Sequence, residues 1–358
     1  MSISMRGFCA VGAAACLIQS TTGAFAHHAG GLGNTGSGGP IVTISAATLD
    51  EGHSVAGISV IYSDFSHLSD DTLINATASG NEGVHGLSTI QSYALTYAYG
   101  WTKDLTVGFR LPYIRRTGIR AAEENDESPP EIEVEDHGPS DGIGDLSLFA
   151  EYRFLNDRET NTQAALIVSL QTPTGKTNVL TRQGDLQDAE FQPGSGAWDP
   201  LFGLAVTHTL GPWSFDANAL YNLVTTGTQD TDLGDQFLYN FAVSYRLTGV
   251  SSTGAMFHGA HAHEPGDDGH GHHHDAASGP ALDLVLELNG EWHAKQDTAG
   301  VVDENSGGHT IFIAPGLRLS QGNVSGYASI GIPVLADENG IQPEPEWRLI
   351  TGVSIAFE

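Results

Sequence analysis

The chain has 358 residues, which allows one large domain or two of ordinary size. Its 14 Lys and Arg against 43 Asp and Glu give a formal net charge of −29, which argues against nucleic acid or anionic headgroups as electrostatic partners, because both need a cationic face. With 40% hydrophobic residues it is too apolar to be disordered, yet no run of 18 apolar residues after residue 26 offers a transmembrane helix.

The first segment has the pattern of an export signal. A short basic start is followed by an apolar stretch, Gly7–Ile18, and by the small residues of Ala24-Phe25-Ala26. This pattern predicts a signal peptide over residues 1–26, because the apolar run is too short for a membrane anchor. Both cysteines, Cys9 and Cys16, lie inside it, so the mature chain is expected to have no disulfide and no thiolate nucleophile.

Period-2 alternation of apolar and polar residues recurs along the mature chain, with turn residues between the segments. It is clearest over 105–114, where the odd-numbered residues are apolar. Residues 27–52 precede the alternation and are assigned to an N-terminal periplasmic segment, in which 41–48 is a candidate for an extra short strand. Twelve segments are predicted as strands: 54–65, 90–100, 103–114, 143–154, 162–171, 198–209, 212–225, 235–247, 281–293, 309–319, 323–334 and 347–357.

Many alternating strands fit either a soluble sandwich or an outer-membrane barrel. The segments have the ~9–11 residues that a tilted spanning strand needs, whereas sandwich strands average ~5–6. Aromatic residues lie at strand ends, as in an interfacial girdle. The polar faces carry isolated charges in place of the many lysines expected of a solvated sheet. These are the predicted luminal residues Arg110, Asp145, Glu151, Arg153, Asp216, Arg246, Asp283, Glu287, Arg318 and Arg348.

The pattern therefore predicts an all-β fold, a single antiparallel transmembrane β-barrel of about 12 strands over residues 53–358. Short turns alternate with long polar loops, which is typical of periplasmic turns and extracellular loops. Both termini then fall on the periplasmic side. The exception is 248–280, a long connection on that side.

Several segments resemble one known family. Its short turn between strands is similar to Tyr99-Gly100-Trp101-Thr102-Lys103-Asp104-Leu105. Its "GIGDL…YRF" strand is similar to Gly142-Ile143-Gly144-Asp145-Leu146 with the following Glu151–Phe154. The start of its "PTG" loop is similar to Thr172-Pro173-Thr174-Gly175. The family is the outer-membrane β-barrel group named for the MetA pathway of phenol degradation. The resemblance covers most of residues 41–357 and implies a transporter for a small solute, aromatic or apolar in character.

The carboxyl end, Gly352-x-x-Ile355-x-Phe357, resembles the signal read by the outer-membrane assembly machinery, although the chain ends on Glu358. The expected location is the outer membrane of a Gram-negative bacterium. The expected partners are outer-membrane lipid and lipopolysaccharide, the assembly machinery and a small-molecule solute, with no nucleic acid.

A His-rich stretch interrupts the pattern. Seven of the sixteen histidines lie within 258–275, beside several carboxylates, and imidazole is a ligand for zinc, copper and nickel. The alternative is a solvated low-complexity loop. No cofactor is required by the channel hypothesis. The predicted metal ligands are His258, His261, His263, His270, His272, His273 and His274.

Two other charge patterns leave alternatives open. Eight acids within 123–136 would attract cations to the outer mouth, but a disordered, self-repelling loop is preferred. The luminal arginines would form either a constriction that selects solutes by charge or structural pairs that plug a narrow barrel.

An enzyme is not expected. His208 is placed on the lipid face, but neither a neighbouring serine motif nor a nucleophile elbow accompanies it. A passive structural barrel or an adhesin is a further alternative. The sequence thus predicts a non-enzymatic outer-membrane channel or transporter for a small solute, and the second reading is a metal-related outer-membrane protein.

Overall fold

The computed structural model describes residues 39–81, 83–125, 129, 131–249 and 280–358. The predicted signal peptide and the predicted histidine ligands lie outside these ranges. Twelve long strands build the wall and are numbered in chain order: β1 Ser54–Phe65, β2 Thr89–Thr102, β3 Leu105–Glu124, β4 Ser147–Asp157, β5 Thr162–Gln171, β6 Asp199–Leu210, β7 Trp213–Asn222, β8 Gln236–Thr248, β9 Ala281–His293, β10 Gly308–Gln321, β11 Val324–Glu338 and β12 Pro345–Phe357.

The strands pair antiparallel with their sequence neighbours and close into a ring. β1 pairs with both β2 and β12, and β3 pairs with β4 through Leu105–Arg110 opposite Ser147–Tyr152. No strand of the ring is left with an unpaired edge. The predicted single antiparallel barrel of twelve strands is confirmed, and the predicted segments match the strands closely.

The two faces of the wall differ as period-2 patterning requires. On β8, Phe241 points outward and is 55% exposed, whereas the adjacent Asn240 points inward and is 6% exposed. On β9, Leu286 is 49% exposed and Glu287 only 1%. Because a polypeptide can cross lipid only when its backbone is hydrogen-bonded internally, a closed barrel with an apolar outer face is a transmembrane structure.

The loops contain the remaining secondary structure. A helix, α1, follows β1 and is capped by the Ser69 side chain, which accepts a hydrogen bond from the Thr72 amide at 3.1 Å. No helix in the described part of the chain is both long and apolar enough to span a membrane. The loop elements are α1 Asp70–Ala78, the 3-10 helices Ala189–Phe191 and Thr228–Asp230, and the strands His85–Gly86, Ile132–Ile143, Thr231–Asp232, Asp297–Thr298 and Val301–Val302.

The preference for a disordered acidic loop was wrong for the described residues. β3 continues to Glu124 and pairs with the strand Ile132–Ile143, so most of this segment is a β-hairpin that extends β3 past its pairing with β4. Acid repulsion is relieved locally, because His137 Nε2 lies 2.9 Å from Glu123 Oε1 and Arg182 Nη1 lies 2.7 Å from Asp136 Oδ2. Backbone pairing with β3 therefore prevails over the like charges.

Candidate functional site: the barrel lumen

The ten predicted luminal residues lie on the inner side of the wall. Nine of them are less than 9% exposed, and the side chain of Arg246 is 10% exposed. Nine lie on barrel strands, whereas Asp145 lies in the short interruption between Ile143 and Ser147. The sequence pattern thus placed the groups, but it did not name their partners.

Three luminal arginines form ion pairs. Arg246 binds Asp283 bidentately, with Nη2 at 2.9 Å from Oδ2. Arg153 donates from Nε and Nη2 to Asp104 Oδ1, at 3.2 and 2.9 Å. Two of the carboxylates involved in pairs of this kind, Asp104 and Glu291, were not predicted.

The third pair reaches across several strands. Arg348 on β12 donates from Nη1 to Glu291 Oε1 on β9 at 2.6 Å. Its guanidinium carbon lies 4.1 Å from the ring centroid of Phe312 on β10. Stacking on an aromatic face and pairing with a carboxylate are both typical of Arg in a partly dry site. This pair braces the inside of the wall.

Asp145, in the "GIGDL" segment, binds both ends of the loop that begins with the "PTG" segment. Its Oδ1 accepts from the Gly175 amide at 2.7 Å, and its Oδ2 accepts from the amide and hydroxyl of Ser195 at 2.7 and 2.9 Å. A Cβ on Gly175 would lie 2.6 Å from the Gly194 Cα, so glycine is required by the close approach. The "GIGDL" and "PTG" segments therefore meet and fix both ends of the loop 172–198.

This loop, called the inner loop below, folds toward the lumen at the long-loop end. Gln187, Phe191 and Gln192 are at most 3% exposed. Arg116, 2% exposed on β3, donates from Nη1 to the carbonyls of Phe191 and Gln192, both at 3.2 Å. Since these contacts come from the wall, the inner loop is held against the inside of β3 at the long-loop end.

His85 joins a second loop to the inner loop. Its Nε2 lies 3.2 Å from Asp188 Oδ2, and its Nδ1 lies 3.5 Å from Glu190 Oε1. Burial lowers the pKa of His85, but the hydrogen bond to Asp188 and the charges of Glu190, Asp188 and Asp303 outweigh it and raise the pKa to about 9. Burial raises the pKa of Glu190 to about 7. A protonated His85 thus holds the outer loops together.

The described part of the N-terminal segment lies inside the barrel. Residues 27–52 were assigned to the periplasm, and 41–48 to a possible strand. In the described part, residues 39–50 instead run through the lumen without regular secondary structure, and Thr43 and Ala46 have no exposed surface. Because the small and β-branched side chains of this stretch are buried against the wall, it is not a solvated tail. Residues 39–50 are called the plug below.

Side chains of the wall satisfy the backbone of the plug. Glu287 on β9 accepts from three consecutive plug amides, those of residues 41–43. Further along, the Ile44 amide donates to Asn218 Oδ1 at 2.8 Å, and the Ala46 amide to Thr207 Oγ1 at 2.8 Å. The Leu49 amide donates to Thr106 Oγ1 at 2.8 Å. These contacts replace the strand pairing that the plug lacks.

Apolar contacts supply the other half of the plug's attachment. Ile41 joins Ile61, Val285 and Ile350, from β1, β9 and β12. Ile44 and Ala46 join a second cluster whose remaining buried members are Ala98, Phe149, Ala165, Ile167, Ala205 and Leu220, from five different strands. Burial of such side chains stabilises the inserted state at roughly 25 cal/mol per Å².

The plug crosses the lumen from one side to the other. It begins at Arg318 on β10 and Glu287 on β9, and it ends at Thr106 on β3. β9 and β3 are six positions apart in the ring of twelve, which is the largest separation possible. Arg318 is near the β10–β11 turn and Thr106 near the β2–β3 turn, so the plug lies across the short-turn end.

The described residues hold no group of three or more His, Asp or Glu arranged to bind a metal ion. The predicted ligands His258 to His274 lie outside those residues. Zinc, copper or nickel binding by that stretch stays a prediction from sequence.

Comparisons with known proteins agree with this architecture. A model of the family described as "Putative MetA-pathway of phenol degradation" matches residues 74–289. No curated protein matches the chain. The COG4313 outer membrane channel from Pseudomonas putida F1 is similar at 17% identity over 87% of this chain and 98% of that one, with a TM-score of 0.54, and this likeness shows the fold.

Two further solved structures are more distant. The CymD monoaromatic hydrocarbon channel is 10% identical, over 86% of this chain and 88% of that one, with a TM-score of 0.38. A Pseudomonas aeruginosa FadL homologue is 9% identical, over 94% and 98%, with a TM-score of 0.41. Since the family model spans more than half of the sequence and the barrel turns an apolar face to lipid, this chain is an outer-membrane β-barrel protein of a Gram-negative bacterium and belongs to the family described as "Putative MetA-pathway of phenol degradation".

Proposed function

We propose that the protein is a channel that passes a small solute across the outer membrane and that is closed at rest by the plug and narrowed by the inner loop. The observation that carries this proposal is the mode of plug attachment. The side chains of Asn218, Thr207 and Thr106 point into the lumen and accept hydrogen bonds from plug amides. In a wall built only for stability, these polar groups would be satisfied by other residues of the wall. Removal of the plug would uncover these polar side chains together with the apolar clusters that the plug joins.

The character of the lumen bears on the solute. The family resemblance implies an aromatic or apolar compound. The inner face, however, places Arg110, Glu151, Asp216, Glu287 and Arg318 along the barrel, all at most 8% exposed. Charged walls favour solutes that replace the lost hydration of those charges. These groups support a polar solute, selected by the luminal charges.

A reducible disulfide between the plug and the wall tests the proposal. Ser45 Oγ of the plug lies 3.1 Å from Thr207 Oγ1 of β6, so the double variant Ser45→Cys with Thr207→Cys brings two thiols together. The only native cysteines, Cys9 and Cys16, lie in the predicted signal peptide. The oxidised double variant is reconstituted in planar bilayers and liposomes, and conductance and solute influx are measured before and after reduction.

We expect the oxidised protein to conduct less than the native protein, and reduction to restore conductance. The single variant Ser45→Cys should show no response to the reductant. Equal conductance in the oxidised and reduced states would show that the plug does not close the barrel. Absence of conductance in all states, with the barrel folded, would exclude a channel and favour a structural barrel.

A further inference from the structure

The contacts of Glu287 with the plug resemble those that a carboxylate makes with an ammonium group. Its Oε1 accepts from the Ile41 amide at 3.2 Å, the Val42 amide at 3.0 Å and the Thr43 amide at 2.9 Å. Oε2 shares the Val42 amide at 3.1 Å. Three N–H donors converging on one carboxylate are the number that a primary ammonium presents. The plug therefore fills a place suited to a cationic nitrogen.

Arg318 is engaged in the complementary way. Its Nε donates to the Gly39 carbonyl at 3.2 Å and its Nη2 to the Pro40 carbonyl at 2.6 Å. The same Nε and Nη2 pair of Arg246 binds the two carboxylate oxygens of Asp283. Two carbonyl oxygens of the plug thus lie where an arginine elsewhere in this barrel holds a carboxylate.

Glu287 and Arg318, called the two poles below, are close to each other and fully buried. Glu287 is 1% exposed and Arg318 has no exposed surface. They lie on the adjacent strands β9 and β10, and no ion pair within 4 Å joins them in the described part of the chain. The Pro40 carbonyl and the Ile41 amide belong to one peptide group, so the acceptor and donor sites are about one peptide apart. That separation matches a short amino acid.

We propose that Glu287 and Arg318 bind the ammonium and carboxylate groups of an amino-acid zwitterion, and that the plug is a tethered mimic which this solute displaces. The proposal rests on the channel function above and names its solute class. A zwitterion compensates both buried charges at once. A simple anion would replace only the plug carbonyls at Arg318, and a simple cation only the plug amides at Glu287, whereas a zwitterion replaces both sets of contacts.

The release of the plug gives a direct readout. Ala46, which has no exposed surface, is replaced in the variant Ala46→Cys, whose thiol is protected from maleimide while the plug is inserted. The full-length mature protein in detergent is titrated with glycine, β-alanine and γ-aminobutyrate as a length series. Glycine betaine is the control, because its trimethylated nitrogen keeps the charge but has no N–H donor.

We expect at least one of the amino acids to accelerate labelling of the Ala46→Cys protein and glycine betaine to leave the rate unchanged. Equal acceleration by betaine would show that the effect needs no N–H donor and is a general effect of a zwitterionic solute, which would overturn the proposal. So would unchanged labelling with every amino acid at about 0.1 M, roughly a hundredfold above a millimolar Kd.

Substitution of the poles supplies a second measurement, which remains informative if a variant releases the plug by itself. Equilibrium binding of radiolabelled amino acid is compared for the native chain, Glu287→Gln and Arg318→Lys, with the exposed Glu51→Gln as the matched control. Each pole variant should weaken binding about tenfold or more, the factor that corresponds to one charge-assisted hydrogen bond. Unchanged binding in both would overturn the site. Amino-acid binding by a barrel that never conducts would instead refute only the channel.

Discussion

A carboxylate introduced at a buried position of the plug should open the barrel. Ala46 has no exposed surface and belongs to the apolar cluster that includes Ala98, Ala165 and Ala205, while its amide donates to Thr207. In the variant Ala46→Asp, a charged group would enter this apolar contact without a cationic partner. The neighbouring Ala47 is half-buried, so Ala47→Asp is a matched control with the same change of chemistry.

The expected shift follows from the two costs of the substitution. Burial of an unpaired carboxylate costs several kcal/mol even after local relaxation, and overpacking adds about 1–3 kcal/mol. A combined penalty of about 4 kcal/mol changes the ratio of inserted to withdrawn plug by about a thousandfold. The wall should be unaffected, because the plug pairs with none of its strands.

The assay is single-channel conductance in planar bilayers, accompanied by urea unfolding in detergent. We expect Ala46→Asp protein to unfold at a similar urea concentration and to conduct more often than native and Ala47→Asp protein. The reasoning would be refuted by a folded Ala46→Asp barrel that conducts no more than the control.

Four further predictions address the wall, the loops and the His-rich stretch. Val243→Arg places a charge on the lipid-facing side of β8 and should destabilise the barrel by about 2–4 kcal/mol if it is near mid-membrane, whereas Val243→Leu should be near neutral in urea unfolding. Asp145→Asn removes the charge that holds Gly175 and Ser195 and should cost about 2 kcal/mol, visible as faster proteolysis of the inner loop. Because the pKa of His85 is raised on folding, its contribution to the stability of the inner loop is complete below the unfolded pKa of about 6.5 and is lost as pH rises through about 9. The inner loop of the native protein should therefore become protease-sensitive between pH 8 and 10. In His85→Gln protein the sensitivity should be the same at every pH. Deletion of 258–275 should abolish zinc or nickel binding, measured by calorimetry, and leave the barrel folded.

The wall could be predicted because lipid enforces alternation on every strand. β1, β5 and β9 have the predicted bounds, and Phe241 and Leu286 face outward as their spacing requires. The same alternation placed the luminal charges on the inner side. What alternation cannot give is the partner of each charge, because pairs such as Arg348 with Glu291 join strands that are not neighbours.

The plug could not be recognised from periodicity. Its residues contact β10, β9, β7, β6 and β3 in turn, so no repeat of two or of 3.6 residues governs them. The available signal was composition, because the run Ile41-Val42-Thr43-Ile44 is too apolar for a solvated leader. The inner loop was missed for a similar reason, since its burial depends on Arg116 and Asp145, which are distant in sequence.

Both ends of the inserted segment lie at the same rim of the cylinder, with Gly39 beside Arg318 and Leu49 beside Thr106. The chain therefore dips in and returns rather than being threaded from one side of the bilayer to the other. The plug can be withdrawn through the short-turn end without separating any two strands of the barrel, and it can be inserted after the barrel has closed. Formation of the wall and occupation of its interior are then independent events, and a pull on the chain at Gly39 would act on the second alone.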